Sequence, residues 1–197
     1  PTFGGTFDGQ GHTISGLSLT GSGNVRGLFR YLQPGGTIQN LTVEGTIAPT
    51  DLQDTLGLLV GENRGQIRNC AAQGSVTGKN TVGGLVGCNQ AGGQIIDGTF
   101  TGTVTGEHYV GGIAGQNHGS VMECTNQGSI STQEQSDQRA LEDLDSLEGR
   151  QWNAAENLPA CTDIGGIAGF SAGIPQSCQN TGPVGYGHVG YNVGGIT

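Results

Sequence analysis

The chain has 197 residues, 40 of them glycine, and a net charge of −9 from 16 acidic and seven basic residues, of which Lys79 is the one lysine. That balance excludes the clustered basic face that nucleic acid requires, and it excludes attraction to an anionic membrane surface. No apolar run approaches the roughly 20 residues of a membrane-spanning helix.

Glycine is about a fifth of the chain, against a usual share of roughly 7%. There is no Gly-X-Y period and proline is sparse, so the glycines are not those of collagen. They fall at fixed places in a repeat, where they mark tight turns and close backbone approach.

The first unit is Phe3-Gly4-Gly5-Thr6-Phe7-Asp8-Gly9-Gln10-Gly11-His12-Thr13-Ile14-Ser15-Gly16-Leu17-Ser18-Leu19. Asp8-Gly9 and Gln10-Gly11 are turn pairs between β-branched and apolar runs, and Ile14, Leu17 and Leu19 supply an inward face. Each later unit carries three apolar clusters. The first is a Gly-Gly strand, clearest at Asn80-Thr81-Val82-Gly83-Gly84-Leu85-Val86-Gly87. It recurs from Tyr109, Asp163 and Asn192, with looser copies from Asn24 and Thr55. The second is Ile38-Gln39-Asn40-Leu41, then Ile67-Arg68-Asn69-Cys70, Ile95-Ile96-Asp97-Gly98 and Val121-Met122-Glu123-Cys124, with Pro175-Gln176-Ser177-Cys178 as a degenerate copy. The third is a glycine followed by a β-branched end, as in Gly74-Ser75-Val76 and Gly102-Thr103-Val104.

No unit has room for a helix between its strands, and none buries its apolar face alone. Stacking solves both problems, because each short strand then pairs with its equivalents about 4.8 Å above and below. The expected fold is therefore all-β: one right-handed parallel β-helix spanning 1–197, of about six coils, the hand following from the crossover rule for parallel strands. Between Ile130 and Ile164 the pattern lapses. Ser136 suits an N-cap, Leu141, Leu144 and Leu147 recur at a spacing of three, and Gly149 suits a stop, so a short α-helical insertion is expected within 131–161. Trp152 and Leu158 would pin it to the rod. The chain opens on a strand pattern and stops inside a repeat, so it is read as a segment of a longer protein, with any signal peptide outside it.

The motif Val-Gly-Gly-Leu-Val-Gly-x-Asn, followed by Ile-x-Asn-Cys and Gly-x-Val, resembles the GLUG motif of bacterial surface proteins. The resemblance covers nearly all of 24–197 outside the insertion. It implies a large secreted or cell-surface protein of the adhesin or IgA-peptidase-associated kind, and an extracellular bacterial location. The peptidases' His-Glu-x-x-His is absent, and Glu107-His108 has the wrong order, so peptidase activity is not carried over. The opening unit resembles the first coil of pectate-lyase-like β-helices, which keeps a carbohydrate-active enzyme or a glycan-binding module as the alternative.

The candidate site residues are few. Asp97 and Glu123 share a corner on successive coils and could form a carboxylate dyad, yet Asn40, Asn69 and Ser177 hold the same corner, which favours a polar ladder satisfying turn amides. Asn63, Asn89 and Asn117 recur after the Gly-Gly strand, either as a glycan-binding row or as an amide ladder, and the ladder is favoured. His12, His108, His118 and His188 do not converge as metal ligands must; no metal or other cofactor is expected. Arg64 and Arg68 bracket one cluster as a weak anion site. Cys124 and Cys178 fall on neighbouring coils, near enough in principle for a disulfide, and the favoured reading is buried thiols acting as small apolar side chains. Asp137, Glu142, Asp143, Asp145, Glu148 and Trp152 in the insertion form a candidate partner-docking arm. The expected role is non-catalytic, with an unidentified protein or glycan as partner and end-to-end pairing of exposed strand edges as a second association.

Overall fold

The computed structural model describes residues 2–51, 54–132, 162–185 and 191–196. Within them every element is a strand. In chain order these are β1 (Thr2–Phe3), β2 (Thr6–Leu19), β3 (Phe29–Leu32), β4 (Thr37–Ile47), β5 (Val60–Asn63), β6 (Gln66–Thr77), β7 (Asn80–Gly83), β8 (Val86–Asn89), β9 (Gln94–Gly106) and β10 (His108–Gly111). They continue as β11 (Ala114–Asn117), β12 (Ser120–Met122), β13 (Thr125–Asn126), β14 (Ser129–Thr132), β15 (Thr162–Gly165), β16 (Ala168–Ser171), β17 (Ile174–Gln176), β18 (Gln179–Asn180) and β19 (Tyr191–Gly194). The helix expected within 131–161 lies almost wholly outside the described residues.

Three parallel sheets form the walls. One stacks β1, β3, β5, β8, β11 and β16; a second stacks β7, β10, β15 and β19; the third and widest stacks β2, β4, β6, β9, β12 and β17, with β13, β14 and β18 completing its later rungs. The chain visits one wall, then the next, then the third, and returns one rung higher. That is a parallel β-solenoid. From β1 to β16 there are six rungs and so five steps between them. The structure thus has about five turns where the repeats suggest six coils, because six copies of a motif enclose five full circuits.

Equivalent positions stack in register. Ile38, Ile67, Ile95 and Val121 are consecutive partners across the wide wall, as are Ile47, Val76, Val104 and Ile130. All eight are 0% exposed. Each such side chain contributes roughly 1.5–3 kcal/mol by leaving water, and only its neighbours above and below make that burial possible. The narrow wall continues below β7 as single bridges from Val82 to Leu56 and from Leu56 to Arg26. The step from Arg26 to Phe29 is three residues, where Leu56 to Val60 takes four. The first copy of the motif is one residue short there, and its Leu28 is only partly buried, like Phe29 of the same end turn.

The wide wall bends at a left-handed residue in every rung: Gln10, Asn40, Asn69, Asp97, Glu123 and Ser177, with φ between 48° and 55°. A second left-handed corner lies at Thr55 and, inside the strands of the narrow wall, at Thr81, Tyr109 and Asp163. Asparagine and aspartate tolerate this conformation; a β-branched threonine does so at a cost of roughly 1–2 kcal/mol.

The Gly-Gly step has a separate cause at each glycine. A Cβ on Gly83 would meet the Val86 carbonyl oxygen at 1.9 Å, so the first glycine lets the chain turn against itself. A Cβ on Gly84 would meet the Gly112 oxygen and the Phe100 ring at 2.4 Å, so the second lets the next rung and the core approach.

Candidate functional site

The corner ladder is on the outside. Asp8 receives Gln39 Nε2 at 2.8 Å, Asn40 Nδ2 at 3.0 Å and the Gln10 amide at 2.9 Å. Asn69 Nδ2 then donates to Asn40 Oδ1 at 2.8 Å. The Gln39 bond above all, with those from Asn40 and Gln10, holds the Asp8 carboxyl below its ordinary value. Asp97 and Glu123 continue the same exposed corner one and two rungs on. The structure therefore brings these two carboxylates onto successive rungs, as their spacing implies. They share the left-handed backbone with an asparagine below and a serine above.

Asn63, Asn89 and Asn117 are brought together inside the rod, each 0% exposed. Asn63 Nδ2 donates to Asn89 Oδ1 at 2.7 Å, Asn89 Nδ2 to Asn117 Oδ1 at 2.8 Å, and Asn117 Nδ2 to Ser171 Oγ at 3.0 Å. The side-chain oxygens of Asn63 and Asn117 also accept the amides of Gly65 and Gly119 at 3.0 and 3.1 Å. The row is an internal amide ladder closing the turn that follows each Gly-Gly unit. Its polar atoms are engaged with one another and with backbone.

A second internal pair has no counterpart in the sequence reading. Asn126 is 0% exposed and donates to Asn180 Oδ1 at 2.7 Å, while its own oxygen accepts the Gly128 amide at 2.9 Å. The signal was hidden because the rung below places Phe100 at that position.

Arg64 lies between two shallow grooves on the turns that join the first wall to the third. One, of about 440 Å³, is lined by Pro34, Gly36, Gln66, Gly92 and Gln94 as well as Arg64; the other, of about 320 Å³, by Tyr31, Gln33, Glu62 and Arg64. Glu62 Oε1 receives Arg64 Nε at 3.0 Å and stands 2.9 Å from Nη2. The Arg64 side chain is 55% exposed, so the pair adds little stability. Its effect is to aim the guanidinium and to cancel part of its charge. Arg68 donates instead to Gln66 Oε1 at 3.3 Å, and Gln66 Nε2 to Gln94 Oε1 at 3.0 Å. The two arginines therefore have separate partners, Glu62 for Arg64 and Gln66 for Arg68.

The last turns carry an outward aromatic group missed in the sequence. Phe170 packs edge-on to Tyr109 at 6.0 Å and lies 5.7 Å from His118. Nearby Ile174 is 68% exposed.

Cys70, Cys88, Cys124 and Cys178 are all free thiols, and all but Cys178 are buried. Burial pushes Cys70 and Cys88 up to about 11. Among the described residues no group of three or more His, Cys, Asp or Glu could hold a metal ion. The arm residues Asp137, Glu142, Asp143, Asp145, Glu148 and Trp152, with His188, lie outside the described residues.

Residues 78–105 and 106–131 each match the model described as the GLUG motif. Over 92 residues, 46% of this chain, the sequence is 46% identical to halomucin of Haloquadratum walsbyi (strain DSM 16790 / HBSQ001). The stretch is 1% of halomucin's own length. That organism is an archaeon, so the match does not support a bacterial source. No solved structure matches the chain. The two matched segments coincide with the turns β7–β9 and β10–β14, and residues 78–131 are two successive GLUG motifs, each one circuit of the solenoid.

Proposed function

We propose that this chain is a non-catalytic repeat module of a large extracellular or cell-surface protein, serving as a rod and as a surface for a protein or glycan partner. The observation that carries the reading is the use made of the repeated residues. Asn63, Asn89 and Asn117 are consumed in an internal ladder, and the Asp97–Glu123 corner continues a row of left-handed backbone residues. What recurs along the chain therefore serves stacking. The GLUG match and the likeness to a stretch of halomucin, a protein roughly a hundred times longer than that stretch, support a module in a long chain.

A glycan-binding reading without turnover has one observation of its own. Arg64 and Tyr31 border a groove whose other polar residues are Thr2, Gln33 and Glu62, a set suited to sugar hydroxyls. A glycan array and a polysaccharide-turnover assay on the purified chain separate the readings. The rod reading expects no turnover of any acidic polysaccharide; release of reducing ends or unsaturated products would reject it. Array binding lost on Arg64→Ala, without loss of folding, would favour the glycan-binding module.

A further inference from the structure

Cys124 and Cys178 are one rung apart and in register. Met122 pairs with Gln176 and Thr125 with Gln179 on either side of them, and the Gln179 amide donates to the Cys124 carbonyl at 2.9 Å. In-register neighbours in such a wall sit about 4.8 Å apart, inside the roughly 4.4–6.8 Å window for the Cα atoms of a disulfide. Their sulfurs also meet. Cys178 Sγ reaches down to the Val121 carbonyl at 3.4 Å, and Cys124 Sγ lies 3.2 Å from the next carbonyl, that of Met122. Each thiol shifts the proton affinity of the other. Cys70 is a built-in contrast: it pairs with Gly98, and Gly98 faces Cys124, so two steps, about 9.6 Å, separate Cys70 from Cys124.

From this geometry we infer that Cys124 and Cys178 form an inter-turn disulfide when the protein meets a small-molecule disulfide oxidant, and that the bond staples together the two turns flanking residues 133–161. The half-buried Cys178 is the entry point. The neighbouring Cys124 lowers its thiol from the ordinary value, while Cys124 itself is raised by Cys178 and by burial. The Cys178 thiolate attacks one sulfur of oxidised glutathione and expels glutathione thiolate, giving a mixed disulfide. Cys124, losing its proton, attacks the Cys178 sulfur and expels the second glutathione. One glutathione disulfide becomes two glutathione thiols, and two cysteine thiols become one bond. The closed loop takes in every residue from 124 to 178. Separating these turns then requires breaking a covalent bond as well as a ladder of hydrogen bonds.

The test uses the whole chain, folded, with excess oxidised glutathione, followed by acid quench, alkylation and peptide mapping. The expected result is a loss of two thiols per chain, a cross-linked peptide pair containing Cys124 and Cys178, and Cys70 and Cys88 alkylated only after unfolding. The oxidised chain should melt roughly 5–15 °C above the reduced one. Cys161→Ser should keep both the cross-link and the shift. Cys178→Ser, conservative at a half-buried position, should melt like the reduced protein and ignore the oxidant. Persistence of both thiols, or their capture by glutathione or Cys161 in place of one another, would overturn the inference.

Discussion

Asn89 shows what a single polar side chain contributes to this rod. It accepts from Asn63, donates to Asn117, and lies 3.3 and 3.2 Å from the Gly93 and Ser120 carbonyl oxygens. Asn89→Ala removes both ladder bonds from a dry interior, although Asn63 keeps the Gln94 carbonyl at 3.4 Å and Asn117 keeps the Gly119 amide at 3.1 Å. At roughly 1 kcal/mol or more for each bond lost, the cost should be about 2–4 kcal/mol, measured by denaturant unfolding. Asn69→Ala is a different case: its side chain bonds Asn40 on the surface, so the loss should be about 1–2 kcal/mol and come mainly from the left-handed backbone, with Asn69→Gly milder. The buried thiols give a pH signature of known sign. Cys70 and Cys88 stand near 11 in the folded chain against an ordinary 9.0, so the unfolded chain releases its protons first. The share of stability owed to these two thiols should be level below about pH 8.5 and fall as pH rises from about 9 to 11, and that fall should shrink when both cysteines are replaced by alanine or serine in a variant that folds. Thermal melts across that range check it; an unchanged slope in the double variant would assign the fall to other groups.

At the scale of the element, the Gly-Gly strand was legible because the close backbone approach at its first glycine recurs at Gly57, Gly83, Gly111 and Gly165, while the second glycine recurs from Gly84 onward and is Leu58 one turn earlier. Gly84→Ala places a methyl against the Phe100 ring and the Gly112 oxygen and should destabilise by about 1–3 kcal/mol. The same change at Gly92 meets open space but a φ of +84°, so its smaller cost is conformational. The wide wall was legible only in pieces. The clusters Ile67–Cys70 and Gly74–Val76 are one strand, β6, bent at Asn69 and at Gly74. Apolar spacing registers the two ends but not the continuity through a left-handed residue. The second corner was not legible, because Thr81, Tyr109 and Asp163 share a backbone conformation and no side-chain chemistry. The Asn126–Asn180 pair escaped for a related reason: Ala72 and Phe100 occupy the column beneath it, so no repeat announces it. The Asn63–Asn89–Asn117 row announced itself, and its favoured reading as an amide ladder agrees with where those side chains lie.

For the molecule as a whole, stability is distributed along one dimension, since each turn touches only the turns beside it. The middle turns, built on β6 and β9, are buried throughout their inward positions, whereas Ile14, Leu17 and Leu19 at one end and Cys178 and Val184 at the other are only partly covered. Amide exchange should therefore be slowest in β6, β8 and β9 and quicken toward β2 and β17, a gradient that a single all-or-none core would not give. The stacking of equivalent residues underlies every inference above, and methyl-selective NOE spectroscopy tests it most directly. Backbone pairing sets Leu85 against Ile113 and Ile113 against Ile167. Stacked turns require strong methyl cross-peaks from Leu85 to Ile113 and from Ile113 to Ile167, each between residues on adjacent rungs about 4.8 Å apart. Absence of both, with cross-strand contacts of antiparallel hairpins in their place, would contradict the solenoid.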